Sequence, residues 1–157
     1  MKKKCYILGM ILISTTCLGK NRFVQGVGTK SACVIDTKSH LMLVKSPPIT
    51  KYNWQNSHMY VKGLKLCGFS DWRLPTKEEQ IDLQQDIGSY AAFAWFNSHG
   101  FDNIQTDFYW SGDSYTKDNH DAWGIYMYSS KVYNEPKTML NYIWPVRKID
   151  YNGRIHT

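Results

Sequence analysis

The sequence predicts an α+β fold, and three observations lead there. Patterned segments run in the order strands, two helices, then a series of strands. "TKEE" at residues 76–79 has the form of a helix capping box, directly after a proline. "AWGIYMY" at 122–128 sets Trp123, Ile125 and Met127 against Gly124, Tyr126 and Tyr128, the period of two that suits a strand. Eleven Tyr and six Trp also favour sheet and long loops over a helix bundle.

The N-terminus lies outside that fold. Lys2-Lys3-Lys4 is a basic start, and residues 5–13 are an apolar run too short to span a bilayer. Small and polar residues follow, the layout of a secretory signal peptide over 1–19 with a cut after Gly19. A lipoprotein reading would lipidate Cys17, but Ser14 stands where such signals usually carry leucine. The expected destination is therefore secreted or periplasmic, or the cell envelope, with no transmembrane span after signal removal. The remainder divides into a loose leader (20–30), one domain (31–150) and a tail (151–157). A chain of this size buries about two-thirds of its unfolded surface, so it folds without a metal.

Within the domain, "CVIDTKSHLMLVKS" at 33–46 reads as two short strands about a turn at Lys38-Ser39. Pro47-Pro48 ends the second. A helix is expected over residues 50–66, with Trp54, Tyr60, Val61, Leu64 and Cys67 on its apolar side. Pro75 biases Leu74 towards extended backbone, and Thr76 caps a second helix that packs through Ile81, Leu83 and Ile87 and stops at Gly88. "YAAFAWFN" reads as a short helix. Strands follow in "DFYWSGDS", "AWGIYMY" and "VYN", and "MLNYIWPVRKI" reads as a last long strand in which Pro145 favours an edge or a bulge.

Two cysteines survive signal removal, Cys33 and Cys67. In an oxidising compartment an isolated pair is most simply one disulfide. Its loop of 35 residues is worth about 4 kcal/mol in the chain-entropy model. Two thiols without clustered partners make a poor zinc site.

Charge is uneven along the chain. Loss of the signal peptide lowers the net charge from +6 to +3. Residues 20–65 hold eight Lys/Arg against Asp36 alone, whereas residues 66–157 hold eight against twelve acids. Such a division predicts a basic patch for a polyanion: a sulfated glycan or an anionic lipid, with nucleic acid disfavoured by export. The alternative is two differently solvated faces.

Several quoted stretches line up with a known pattern. "CVIDTKSHLM", "WQNSHMYVKGL", "GFSDWRLPTKEE", "FYWSGDS", "AWGIYMYSSKV" and "PVRKI" occur in that order. Together they resemble the Legionella collagen-like protein C-terminal (Lcl) domain family over roughly residues 31–149. The structural signature is Asp71-Trp72-Arg73-Leu74-Pro75-Thr76 with Trp110 and Trp123. The resemblance implies an exported bacterial domain with a C-type-lectin-like fold: two helices against a twisted antiparallel sheet with long loops. Collagen-like members of the family are adhesins for sulfated glycosaminoglycans, which implies a glycan or polyanion as ligand. The chain departs from the pattern at Leu43, Val61 and Cys67. It carries no collagen-like repeat, so strong binding by many weak sites would call for a homo-oligomer.

The expected ligand-binding lysines are Lys38, Lys45, Lys51, Lys62 and Lys65, with Lys30 beside them. Lys62 and Lys65, three apart on the expected helix, would share a face. Tyr115, Tyr126 and Tyr128 are the aromatic candidates for the surface, because tyrosine offers rigid apolar area with a polar edge. Trp110 and Trp123 are expected in the core, and Arg73 is expected to anchor a carboxylate or backbone carbonyls.

No cofactor is expected. Asp113, Asp118, Asn119 and Asp121 offer oxygens of the kind Ca²⁺ takes, but they lack the order of the helix–loop–helix calcium site and read as a solvated loop. Glu135-Pro136-Lys137 stands where calcium-dependent sugar-binding lectins carry Glu-Pro-Asn, and an ammonium cannot ligate calcium. The five histidines are scattered, with no catalytic spacing to a Ser or Cys. The expectation is a non-enzymatic recognition domain; the alternatives are a surface-protein interaction module and, behind it, a hydrolase.

Overall fold

A computed structural model describes residues 21–87 and 91–149. The expected signal peptide, the Gly88 helix stop and the tail at 151–157 lie outside the described residues.

Two antiparallel sheets and three helices make up the fold. Strands β1 (Phe23–Gln25), β2 (Cys33–Asp36), β3 (Leu41–Val44) and β7 (Val146–Lys148) form one sheet in the order β1-β2-β3-β7. Strands β4 (Phe108–Ser114), β5 (Asp121–Tyr126) and β6 (Lys131–Pro136) form the other, with β5 central. The helices are α1 (Trp54–Gly63), α2 (Lys77–Gln84) and α3 (Ala92–Ser98). This is the α+β class, with α3 as the short helix expected from "YAAFAWFN".

The leader is not loose. Phe23 to Gln25 pair antiparallel with β2, in register Phe23↔Asp36. The Arg22 guanidinium reaches the buried Asp36 carboxylate at 3.0 and 2.8 Å. The Phe23 ring meets Phe101 and Trp95 edge-on, with centroids 5.0 and 5.7 Å apart. Three residues are too few to show a period, and the rings that hold them lie some seventy positions away.

Helix α1 is shorter than its apolar pattern. Residues before it stay extended because Tyr52 bridges to Asn141, and Asn53 supplies the cap by accepting from the Asn56 amide at 2.8 Å. The helix ends at Gly63, and Leu64 is already extended (φ −72°, ψ 123°). Lys65 therefore lies beyond the helix, and the shared helical face expected for Lys62 and Lys65 does not exist.

The capping box at Thr76 forms in full. The Thr76 hydroxyl accepts from the Glu79 amide at 3.1 Å, and the Glu79 carboxylate accepts from the Thr76 amide at 2.9 Å. The inner side of α2 is Gln80, Leu83 and Gln84, while Ile81 is exposed, contrary to its expected core role.

The expected last long strand is broken. Only Val146–Lys148 pairs as a strand, with β3. Upstream, Asn141 bridges to Tyr52 and Tyr142 to Tyr109. The segment thus leaves the second sheet and enters the first, with Pro145 near the crossover; a proline that lacks an amide suits such a point.

Two packed clusters result. The larger joins the four-stranded sheet, α2 and α3 to one side of the second sheet, through Leu43, Trp72, Leu83, Phe96, Ile125 and Trp144. The smaller lies under α1 and holds Val61, Leu74, Phe108, Trp110, Ala122 and Ile143. Trp72 enters the first cluster and Leu74 the second, so the D-W-R-L-P-T turn is the point where the two cores meet. In β5 a glycine is required at Gly124: a Cβ would lie 2.3 Å from the Phe108 ring and 2.4 Å from the Tyr109 carbonyl oxygen. Cys33 and Cys67 form the disulfide, which ties the start of β2 to the tight turn between Leu66 and Phe69, just before the signature residues.

Candidate ligand-binding surface

Three of the expected lysines face carboxylates. Lys38, in the β2–β3 turn, pairs with Asp86 at 2.7 Å. Lys45 approaches Asp102 at 3.8 Å. Lys51 donates to Asp107, and its ammonium lies 4.9 Å from the centre of the Tyr142 ring. That contact with Asp107 holds the Lys51 ammonium protonated above its ordinary range. Lys30 stands 5.2 Å from the centre of the Phe69 ring. Acids of the second half of the chain thus fold onto three lysines of the first. Lys62 and Lys65 differ: both are exposed, and no described carboxylate lies within ion-pair distance of either.

The tyrosines also part company. Tyr128 is well exposed in the β5–β6 turn. Tyr115 is half-buried and meets Trp123 edge-on at 4.8 Å. Tyr126 is half-buried against Phe108, and its hydroxyl donates to Glu135 at 2.7 Å. That bond to a carboxylate pushes the Tyr126 phenol up to about 12. Only Tyr128 matches the expected free surface ring; cross-strand packing on the sheet claims the other two.

The tryptophans split likewise. Trp110 is fully buried, and its indole N–H donates to the Tyr52 carbonyl at 2.9 Å. Trp123 is not core. It is half-buried near the first turn of α2, where the Lys77 ammonium lies 4.7 Å from its ring centre. Alternation along β5 places it on the side facing α2, beyond the end of the apolar cluster.

The signature turn is held by two forks. The Arg73 guanidinium makes two bonds of 2.7 Å to Glu79 and one of 3.0 Å to the Leu74 carbonyl. Burial opposes the Glu79 charge, but the bonds from Arg73 and the Thr76 amide outweigh it and keep the carboxyl below its usual range. Asp71 takes a second fork from Arg147. Arg73 thus contacts both a carboxylate and a carbonyl.

The polar loop at 113–121 spends its oxygens internally. The Asp113 carboxylate accepts from the Lys77 amide at 2.6 Å, at the start of α2. Asp118 accepts from the amide and ring of His120, and Asp121 from Asn134. Lys137 donates to the Asn119 carbonyl and the Ser114 hydroxyl at 2.6 Å each. Among the described residues no three His, Cys, Asp or Glu side chains are grouped to hold a metal ion.

One assembly went unread in the sequence. Lys137 lies 4.5 Å over the Trp54 ring, and Trp54 meets the His58 ring at 4.4 Å. The Trp54 indole donates to the Ser111 carbonyl, beside the irregular pairing of β4 between Trp110 and Ser114. His58 Nε2 is buried and contacts no described hydrogen-bond partner. Burial pulls the imidazole down, Asp113 pulls it up, and the Lys137 and Lys62 charges add to the fall, so His58 stays neutral below its ordinary range. Trp54 and His58, four apart on a helix, were the one available signal.

Ser98 and His99 are in contact at 3.0 Å, on the exposed end of α3. No described helix is long and apolar enough to cross a membrane. The model of the Lcl C-terminal domain matches residues 32–147. A comparison with curated proteins gave no match.

Proposed function

The chain belongs to the Lcl C-terminal domain family, and from that premise we propose that it is an exported, non-enzymatic recognition domain that binds a glycan or polyanion through the surface around Lys62 and Lys65. The observation that carries this reading is the contrast among the lysines. Lys38, Lys45 and Lys51 face carboxylates, while Lys62 and Lys65 are exposed without one. A sulfated chain would meet two unneutralised ammonium groups there, by salt-sensitive contacts. Family membership supports a surface role, and the signal-peptide layout of residues 1–19 supports export. The α+β arrangement is compatible with a C-type-lectin-like domain. The test is a heparin column: elution should shift steeply with salt and be lost in Lys62→Glu/Lys65→Glu. Flow-through of the wild type at low salt overturns the reading.

A second reading, a protein-interaction module, has its own observation. The Tyr52–Asn141 bridge brings the segment with exposed Ile49 towards that with exposed Met139 and Leu140. A stable hetero-complex recovered from the secreted fraction, lost in Leu140→Asp, would favour it.

A further inference from the structure

Among the described residues the free edge of the second sheet is β6; the β7 edge of the first sheet is bridged by Arg73 at Val146. The outer edge of β4 is covered: the Trp110 amide bonds to Tyr142, the Tyr142 amide to Phe108, and the Gly112 amide to Pro75. The edge at β1 is three residues long. Strand β6 runs six residues, Lys131–Pro136, in unbroken register with β5. Its residues 131–135 take no backbone hydrogen bond from any described segment other than β5. Every second backbone N–H and C=O of an edge strand points away from the sheet. Within the strand no proline or bulge blunts that edge; Pro136 only closes its end.

The side chains select a partner. Lys131, Tyr133 and Glu135 share one face, since they pair with Tyr126, Gly124 and Ala122 of β5. Glu135 is fixed there: one carboxylate oxygen accepts from the Tyr126 hydroxyl and the other from the Asn141 amide. Tyr133, opposite Gly124, is exposed and meets the Tyr126 ring edge-on at 5.7 Å between centroids. Consider β6 pairing antiparallel with β6 of a second copy, centred on Tyr133. Lys131 then stands opposite Glu135 at both ends, and the two Tyr133 rings meet at the two-fold axis. Sliding the register by two residues in one direction sets Lys131 opposite Lys137 instead. Opposite charges directly across an antiparallel pair stabilise it and like charges oppose it. We propose that β6 is a homodimer edge that joins two copies into one six-stranded sheet with Lys131 facing Glu135. A dimer would double the ligand surfaces of a domain that has no repeat of its own. The proposal stands whichever ligand the domain takes.

Sedimentation equilibrium of the full chain over about 1 µM to about 1 mM should show a reversible monomer–dimer equilibrium. Lys131→Glu and Glu135→Lys should each weaken it at least about tenfold. Mixing the two variants should restore dimer, because both charge pairs are then attractive. Circular dichroism checks that each variant folds. If Glu135→Lys does not, Lys131→Glu must weaken the dimer more than Lys131→Ala does. A wild type that stays monomeric throughout, or a dimer indifferent to Lys131→Glu, overturns the proposal.

Discussion

Arg147 and Asp71 form a two-pronged ion pair at 2.7 and 3.0 Å in which the two partners see different surroundings. The Arg147 side chain is 4 % exposed and lies 3.9 Å over the Phe69 ring, while the Asp71 side chain is 54 % exposed. The pair clamps β7 to the signature turn. Removing the aspartate strands a buried guanidinium, whereas removing the arginine leaves a carboxylate that water can reach. Asp71→Ala should therefore cost about 3 kcal/mol. Arg147→Met, which keeps much of the contact with Phe69, should cost less. Urea unfolding of both variants checks the order, and a larger loss in Arg147→Met would contradict it. The hydrogen bond from Arg147 also lowers the Asp71 carboxyl, so this contribution is present above about pH 4 and fades as pH falls through the folded value.

The disulfide should matter more than any single surface charge. It joins β2 to the turn between Leu66 and Phe69, across 34 positions of sequence. Cys33→Ala/Cys67→Ala should lose about 2–4 kcal/mol. Thermal unfolding with and without reductant measures this. An unchanged melting point would mean that the reduced chain already holds the turn in place.

His58 predicts a loss of stability in mild acid. Its folded value is depressed and its unfolded value is ordinary, so the unfolded chain binds more protons as pH falls through about 6.5. Stability should fall between about pH 7 and pH 5.5, before carboxylates protonate. His58→Gln should flatten that segment of the melting curve against pH. Parallel curves for wild type and variant would remove His58 as the cause.

Two buried glutamines on α2 should respond in opposite ways. Gln80 donates to the Tyr109 and Trp110 carbonyls at 3.1 and 3.2 Å. Gln84 donates only to the Met127 sulfur at 3.5 Å, and the side-chain carbonyl oxygens of both glutamines accept from no described residue. Both line a small cavity with Leu83, Phe96, Met127 and Trp144. Gln80→Leu should cost about 1–3 kcal/mol, because it leaves β4 carbonyls without donors. Gln84→Leu should be neutral or stabilise by up to about 1 kcal/mol. Chemical denaturation of the pair decides it, and equal losses would refute the distinction.

Local chemistry determined much of this protein in the sequence alone. Thr76 and Glu79 are three residues apart, so their capping box is written in the chain. The β2–β3 hairpin about Lys38-Ser39 and the alternation along β5 are equally local. The cysteine pair was legible because only two cysteines follow residue 19, and two have one way to join. The family was legible because short stretches recur in order. Tertiary structure alone decided the rest, because it depends on partners far apart in sequence. Phe23 became a strand residue through Phe101. Tyr52 shortened α1 through Asn141. Most important for function, Lys38, Lys45 and Lys51 met Asp86, Asp102 and Asp107 across dozens of intervening residues. A charge count along the chain cannot see such pairing, since Coulomb energy depends on distance in space. That folding left Lys62 and Lys65 exposed with no described carboxylate facing them, while Lys38, Lys45 and Lys51 are paired.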